Sequence, residues 1–345
     1  MKKAVIFLSF TASQNQSIQN CIDYFKQSNR ENVDLFLISN AGHIPNGITN
    51  THQLNLTKVT RWQIGLQQIL FKHNSKKLIL FVESLPDYDE IEICIPHFLN
   101  ILCNYFYHHC IPKLKAKLIH ISLYPDGMLS YQPFEIQSWF QKDSISRWVG
   151  GWLSGMRYTV FIGPIADPFS CVKKIYSYIP ECTIPYQSTK IIKIEFPNRK
   201  INGENILILG HFKQSKFDSD YLIFINKMIQ LFLEKENYRA IFYKPHPRIS
   251  KMSDDVFYQS ILKISNIKIE LCIDDTPVES LLESIGASSI IAAVSTSMIN
   301  LKLKYKNQIS CYYFGLSYYV LPKYVSYYEN VFSHLSIIPL RQYNE

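Results

Sequence analysis

His246 stands between Pro245 and Pro247, with Lys244 two residues before it, in the stretch Tyr243-Lys244-Pro245-His246-Pro247-Arg248. The prolines fix two φ angles and bias the residues before them toward extended backbone, so the imidazole is held with little freedom. Alternation along a strand puts Lys244 on the same side as His246, which gives two cationic donors over one spot and suits phosphate binding or acid catalysis. Ser295, Thr296 and Ser297 fall between an apolar run and a helical pattern, where hydroxyls and backbone N–H groups make an anion site. Asp126 precedes Gly127 at the end of another apolar run, an acid beside a residue that lets a ligand approach the backbone. Glu279 opens a helical stretch, and Gly210 closes the run Ile206-Leu207-Ile208-Leu209. Taken singly, each is also what a turn, a helix cap or a first-turn acid provides. Together they all fall at strand ends or helix starts, where an open α/β sheet carries its chemistry.

The elements that must position them follow an alternating rhythm. Residues 4–10 read as a strand, 17–28 as a helix with Ile18, Cys21, Ile22 and Phe25 on one face, 33–39 as a strand, 59–73 as a helix and 76–84 as a third strand. A helix over 96–110 and a strand over 116–124 bring the chain to Asp126. From about 128 to 200 the pattern is irregular, with prolines at 164, 168, 180 and 185, which suggests a domain crossing. Strands over 205–212, 239–245, 267–273, 289–295 and 309–314 then alternate with helices. Repeated βαβ units predict parallel sheets covered on both faces, and hence two doubly wound α/β domains facing a cleft.

Composition narrows the function. The chain has 345 residues, 47% of them hydrophobic, enough for two cores. No apolar run reaches the roughly 18 residues a bilayer requires, and Met1-Lys2-Lys3 leads into a strand-like run with no cleavage site. Eight cysteines lack paired CxxC spacing, which fits reduced thiols and a cytoplasmic setting. His108-His109-Cys110 reads as the end of an aromatic helix, so no metal is expected. The formal charge of +8 is dispersed, unlike the clustered face of a nucleic-acid binder, and points to anionic small molecules or an anionic membrane face. Twenty-three tyrosines and 21 phenylalanines, several of them together after residue 310 with Lys323 among them, suit either a membrane interface or a core.

The order of an acidic-Gly motif at Asp126-Gly127, His246-Pro247, Glu279 some thirty residues on, and Thr296-Ser297 after that resembles the bacterial sialyltransferases. That resemblance implies a GT-B enzyme of two Rossmann-like domains, taking CMP-sialic acid as donor and needing no cofactor or metal. It implies residues 1–190 as an acceptor domain carrying the base, 191–320 as the CMP-donor domain, and 321–345 as a helical segment packing back on the first domain. Asp126 would be the base, His246 the group assisting departure of CMP, and Lys244, Pro247, Ser295, Thr296 and Ser297 the phosphate site. Glu279 would hold the ribose, while Gly127 and Gly210 would allow close approach. The first acid of the family's motif is replaced by Pro125, and the first serine of its Ser-Ser pair by Thr296, which keeps the hydroxyl. Thr11 and Asn15, in the loop after the first strand, would face the acceptor. The implied acceptor is a galactose hydroxyl on lipopolysaccharide or capsule oligosaccharide, with peripheral contact to the cytoplasmic face of an inner membrane and no nucleic acid.

Two other readings share these residues. A transferase using a CMP-Kdo or CDP-glycerol donor would also need Lys244 and His246 at a phosphate. A non-catalytic nucleotide-sugar-binding protein would keep the same pocket without using Asp126.

Overall fold

The computed structural model describes residues 2–28, 33–40, 44–54, 75–98, 100–133, 138–157, 159, 171–184, 189–197, 199–211, 219–236, 238–246, 249, 255–263, 268–273, 276 and 278–340. The helix expected over 59–73 and the motif residue Pro247 lie outside them. The chain divides into two compact units, residues 1–195 and 196–345.

In the first unit, β1 (Lys3–Ser9), β2 (Val33–Ser39), β3 (Asn50–Gln53), β4 (Tyr88–Ile95), β5 (Ala116–Leu123), β6 (Val172–Ser177) and β7 (Lys190–Lys193) form one sheet in the order β3-β2-β1-β4-β5-β6-β7. Every neighbouring pair is parallel. Ala4 through Leu8 are buried without a polar break because helices cover both faces of a parallel sheet. Helix α1 (Ala12–Gln27) starts at Thr11, whose hydroxyl accepts from the Gln14 N–H, and lays Ile18, Cys21, Ile22 and Phe25 on the sheet.

Residues 76–84 are a correction to the expected strand. They lie in a helix, α2 (75–83), which buries Leu78 and Val82 at i and i+4 and leaves Leu80 65% exposed, a helical period. The strand that fills the place is β4, whose acids hid it: Glu90 pairs with Lys3, and Glu92 is neutralised inside the sheet by Lys174. Helix α3 (Ile101–Tyr105) runs on into a wider π-helical turn, Phe106–Cys110. The supposed crossing from 128 to 200 carries α4 (Ser138–Ser154), β6 and β7, so the first sheet is completed there and the boundary falls after residue 195.

The second unit contains β8 (Asn205–Leu209), α5 (Ser219–Lys235), β9 (Ile241–Lys244), α6 (Val256–Ile261), β10 (Ile269–Leu271), α7 (Val278–Ser284), β11 (Ala287–Ala292), α8 (Thr296–Tyr305), β12 (Ser310–Tyr313), α9 (Leu316–Tyr319), α10 (Pro322–His334) and β13 (Ile338–Pro339). Its parallel strands are ordered β10-β9-β8-β11-β12-β13. Residues 321–340 are therefore no separate segment: Phe332 of α10 packs on Tyr313, and β13 extends this sheet. Each sheet turns back on itself beside its first strand, the Rossmann order with a switch point where ligands bind. Two such units in series make up a GT-B chain.

Candidate functional site

In the second unit the switch point lies between β8 and β11, and a cavity of about 350 Å³ opens there. Gly210 and His211 after β8, Lys244 and His246 at the end of β9, and Ser295, Thr296 and Ser297 before and within α8 all line it. The volume falls in the range of small-ligand sites, roughly 300–1,000 Å³. Lys244, a lining residue, is only 7% exposed, and its carbonyl accepts the Gly210 N–H at 2.8 Å. The turn carrying His246 is closed by the Ile249 N–H donating to the His246 carbonyl at 2.9 Å. Ser295 is extended at the start of α8 and its hydroxyl makes no capping bond, which leaves the first-turn N–H groups of a ten-residue helix for an anion.

Gly210 is required by the protein before any ligand arrives. A Cβ there would sit 2.5 Å from the Tyr243 Oη and 3.2 Å from the His246 nitrogen. The Tyr243 hydroxyl donates to Asp255 at 2.8 Å, and Asp255, fully buried, accepts the Tyr258 N–H with its other oxygen. Burial, with the Asp255 charge beside it, pushes the Tyr243 phenol far above its ordinary range and keeps it a donor. The Tyr243 hydroxyl and the His246 backbone thus border the same spot at Gly210. Glu279 takes the first turn of α7, half-buried; its neighbour Val278 lines the cavity, whereas Glu279 itself does not.

In the first unit the corresponding edge gathers Asp126, His97 and Gln14. His97 Nε2 lies 3.3 Å from Asp126 Oδ2, and both side chains are one-fifth exposed. Burial by itself would raise the Asp126 carboxyl, but the hydrogen bond and charge of His97, with help from Gln14, outweigh it and hold the group below the ordinary carboxylate value. The Asp126 N–H donates to Ser130 Oγ at 2.8 Å, and Gly127 has φ +58°, a left-handed conformation that glycine takes without strain. The sharp turn so formed follows directly on the end of β5. Thr11 is the exposed cap of α1, and Asn15 is buried, its Oδ1 accepting from Ser9 Oγ at 2.5 Å. Asn15 thus braces the end of β1.

His97 and His211 were missed from sequence. His97 follows Pro96 at a strand end, the same Pro-His signature as Pro245-His246, but β4 was not recognised and so the signature had no context. His211 directly follows Gly210, and its ring packs on Tyr319, with centroids 4.0 Å apart. The histidines at 108 and 109 serve the fold: His108 Nε2 meets Thr159 Oγ1 at 2.8 Å, and His109 Nε2 accepts the Arg157 N–H at 3.0 Å. Burial, with Arg157 beside it, pushes the His108 pKa down to about 4.

Among solved structures, a UDP-GlcNAc 2-epimerase from Methanocaldococcus jannaschii is similar at 12% identity, over 90% of this chain and 83% of that one, with a TM-score of 0.49. A sialyltransferase GT-B domain from Photobacterium damselae gives 12% identity over 97% of both chains and a TM-score of 0.44. An Escherichia coli heptosyltransferase with ADP gives 10% identity over 90% and 87%, with a TM-score of 0.42. A search of curated proteins finds no significant match. The model of the alpha-2,8-polysialyltransferase family, in contrast, matches residues 2–314, which include Asp126-Gly127, Lys244, His246 and Thr296-Ser297. On a match of that extent, this glycosyltransferase chain belongs to the alpha-2,8-polysialyltransferase family.

Proposed function

We propose that the chain is an inverting sialyltransferase that moves sialic acid from CMP-sialic acid to a hydroxyl of a cell-surface glycan, without a metal. The observation that carries this reading is the cavity at the second switch point, where Lys244, His211, His246 and the start of α8 surround one space in a chain of this family. The departing group is a phosphate monoester, and its developing charge needs donors placed in advance. Lys244 supplies a fixed positive charge, the α8 N–H groups and the hydroxyls of Thr296 and Ser297 supply hydrogen bonds, and His246 donates as the bond to CMP breaks. These cationic groups take the part that a divalent ion plays in other transferases. Glu279, next to the cavity-lining Val278, accepts from the ribose hydroxyls in this reading. Asp126 removes the acceptor proton; His97 keeps it ionised and oriented.

The family's name favours the 8-hydroxyl of a terminal sialic acid as acceptor over the galactose hydroxyl that the motifs alone imply. The experiment is a donor and acceptor screen: CMP-sialic acid, CMP-Kdo and CDP-glycerol against a labelled oligosialic acid and a labelled galactoside, read by mass. Addition of one or more sialic acid residues to the oligosialic acid is expected. Product only with CMP-Kdo or CDP-glycerol, or no transfer and no CMP release with any acceptor, overturns the reading.

A further inference from the structure

The aromatic residues after 310, which in sequence suit a membrane interface, are largely consumed by the core: Tyr312, Tyr313, Phe314, Tyr319, Tyr324 and Phe332 are all buried. Exposed aromatic surface is found instead on α4. Ile145, Trp148, Val149 and Trp152 recur at i, i+3, i+4 and i+7, which is one stripe of a helix. They are 61, 58, 40 and 77% exposed, with Leu153 at 61% beside them. The opposite side of the last turns faces the protein: Gly150 and Ser154 are buried, and the Ser154 hydroxyl donates back to the Gly150 carbonyl at 2.7 Å. Water therefore meets two indoles and three aliphatic chains on a helix whose inner face is already satisfied, a heavy exposure cost for a protein that leaves that face bare.

We infer that this face of α4 docks on an anionic bilayer surface. Tryptophan combines a large apolar ring with an N–H donor and is favoured at headgroup depth, and amphipathic helices of this kind lie in the interface plane. Charge complementarity selects the anionic surface: from residue 144 to 159 there is no acid, and Arg157, exposed just after the helix, borders the stripe in a chain of net charge +8. A cleft of about 590 Å³, lined by Trp148, Trp152, Met156, Arg157 and Thr159, adjoins the stripe and gives a phosphate headgroup a cationic partner. Its rim is stiff, because the Arg157 N–H is tied to His109 and the Thr159 N–H and carbonyl are both tied to the Asn104 carboxamide. Among the described residues no helix is long and apolar enough to cross a membrane, so this contact is peripheral.

The test is co-sedimentation of the full chain with phosphatidylcholine vesicles with and without phosphatidylglycerol. Binding to the anionic vesicles alone, weakened by salt, is expected. The double variant Trp148→Ser, Trp152→Ser should bind them about tenfold or more weakly, and Arg157→Gln less severely, with circular dichroism, melting temperature and transfer to a soluble acceptor unchanged. These residues are exposed, so loss of folding is not an expected outcome. Equal vesicle binding by wild type and double variant refutes the proposal. So does retained vesicle binding with lost transfer to soluble oligosialic acid, which would make the stripe a glycan platform, or a change of oligomeric state in the variant, which would make it a contact between copies.

Discussion

Gly210→Ala tests whether the histidine turn rests on the Tyr243 strut. The new Cβ would meet the Tyr243 Oη at 2.5 Å, Cζ at 3.1 Å and the His246 nitrogen at 3.2 Å. The hydroxyl cannot step aside cheaply, since it holds a fully buried carboxylate at 2.8 Å. Overpacking of this kind costs about 1–3 kcal/mol. Tyr243→Phe removes the oxygen that clashes, at about 1.5–3 kcal/mol for a lost hydrogen bond to a charged group. In the double variant the first clash is gone and only the two contacts above 3 Å remain, so its cost should be smaller than the sum of the single costs by about 1–2 kcal/mol. Urea unfolding of the four proteins gives that coupling, and calorimetry with CMP gives the functional consequence. CMP affinity should fall in Gly210→Ala and recover in part in the double variant. Additivity within about 0.5 kcal/mol, or unaltered CMP affinity in Gly210→Ala, would refute the argument that the phenol sets the turn.

Asp126→Asn should lower turnover roughly a hundredfold or more with CMP affinity kept, checked by initial rates and calorimetry; a parallel loss of CMP binding would remove it from the acceptor side. His246→Ala should also cut turnover, and a donor with a leaving group that needs no protonation should suffer less, measured by the ratio of the two rates. Glu279→Ala should weaken CMP by about 1–3 kcal/mol if its carboxylate reaches the ribose, with titration calorimetry as the check. His108, half-buried with a folded pKa of about 4, contributes stability that is complete above its ordinary 6.5 and is lost as pH falls toward 4. Thermal melts across that window should therefore show a gentler acid decline in His108→Gln.

What could be read from sequence follows from how each element pays for burial. The strands β8 and β11 are apolar on both faces, because both are covered, so NILIL and SIIAA could only be buried strands. The groups that end them, Gly210 and Ser295, then fall where a switch point must be. In the first unit β4 carries Glu90 and Glu92, and their charges are tolerable only because Lys3 and Lys174 come from other strands, which no local window contains. Without β4 the neighbouring helix α2 was taken as the strand, and His97 at the end of β4 could not be placed near Asp126. β6 and β7 carry Lys173, Lys174, Lys190 and Lys193 and were lost for the same reason. Asn15, a polar residue at a helix start that reads as available for a ligand, also satisfies Ser9 inside the fold.

The pairing of His97 with Asp126 bears on how strong a base the transfer needs. A carboxylate held below its ordinary value is fully ionised near neutrality but is a weaker proton acceptor than a buried, unpaired one. That suits a reaction in which the sugar–phosphate bond is nearly broken before the acceptor attacks, since the acceptor hydroxyl becomes acidic only as it bonds to the oxocarbenium-like carbon. Ionisation then matters more than basicity. Removing the imidazole, as in His97→Phe, leaves burial to raise the Asp126 carboxyl, so the acid limb of the pH–rate profile should move to higher pH while the rate on the plateau changes less. If instead the plateau collapses and the limb stays in place, His97 is itself handling the acceptor proton, and Asp126 is the group that orients it.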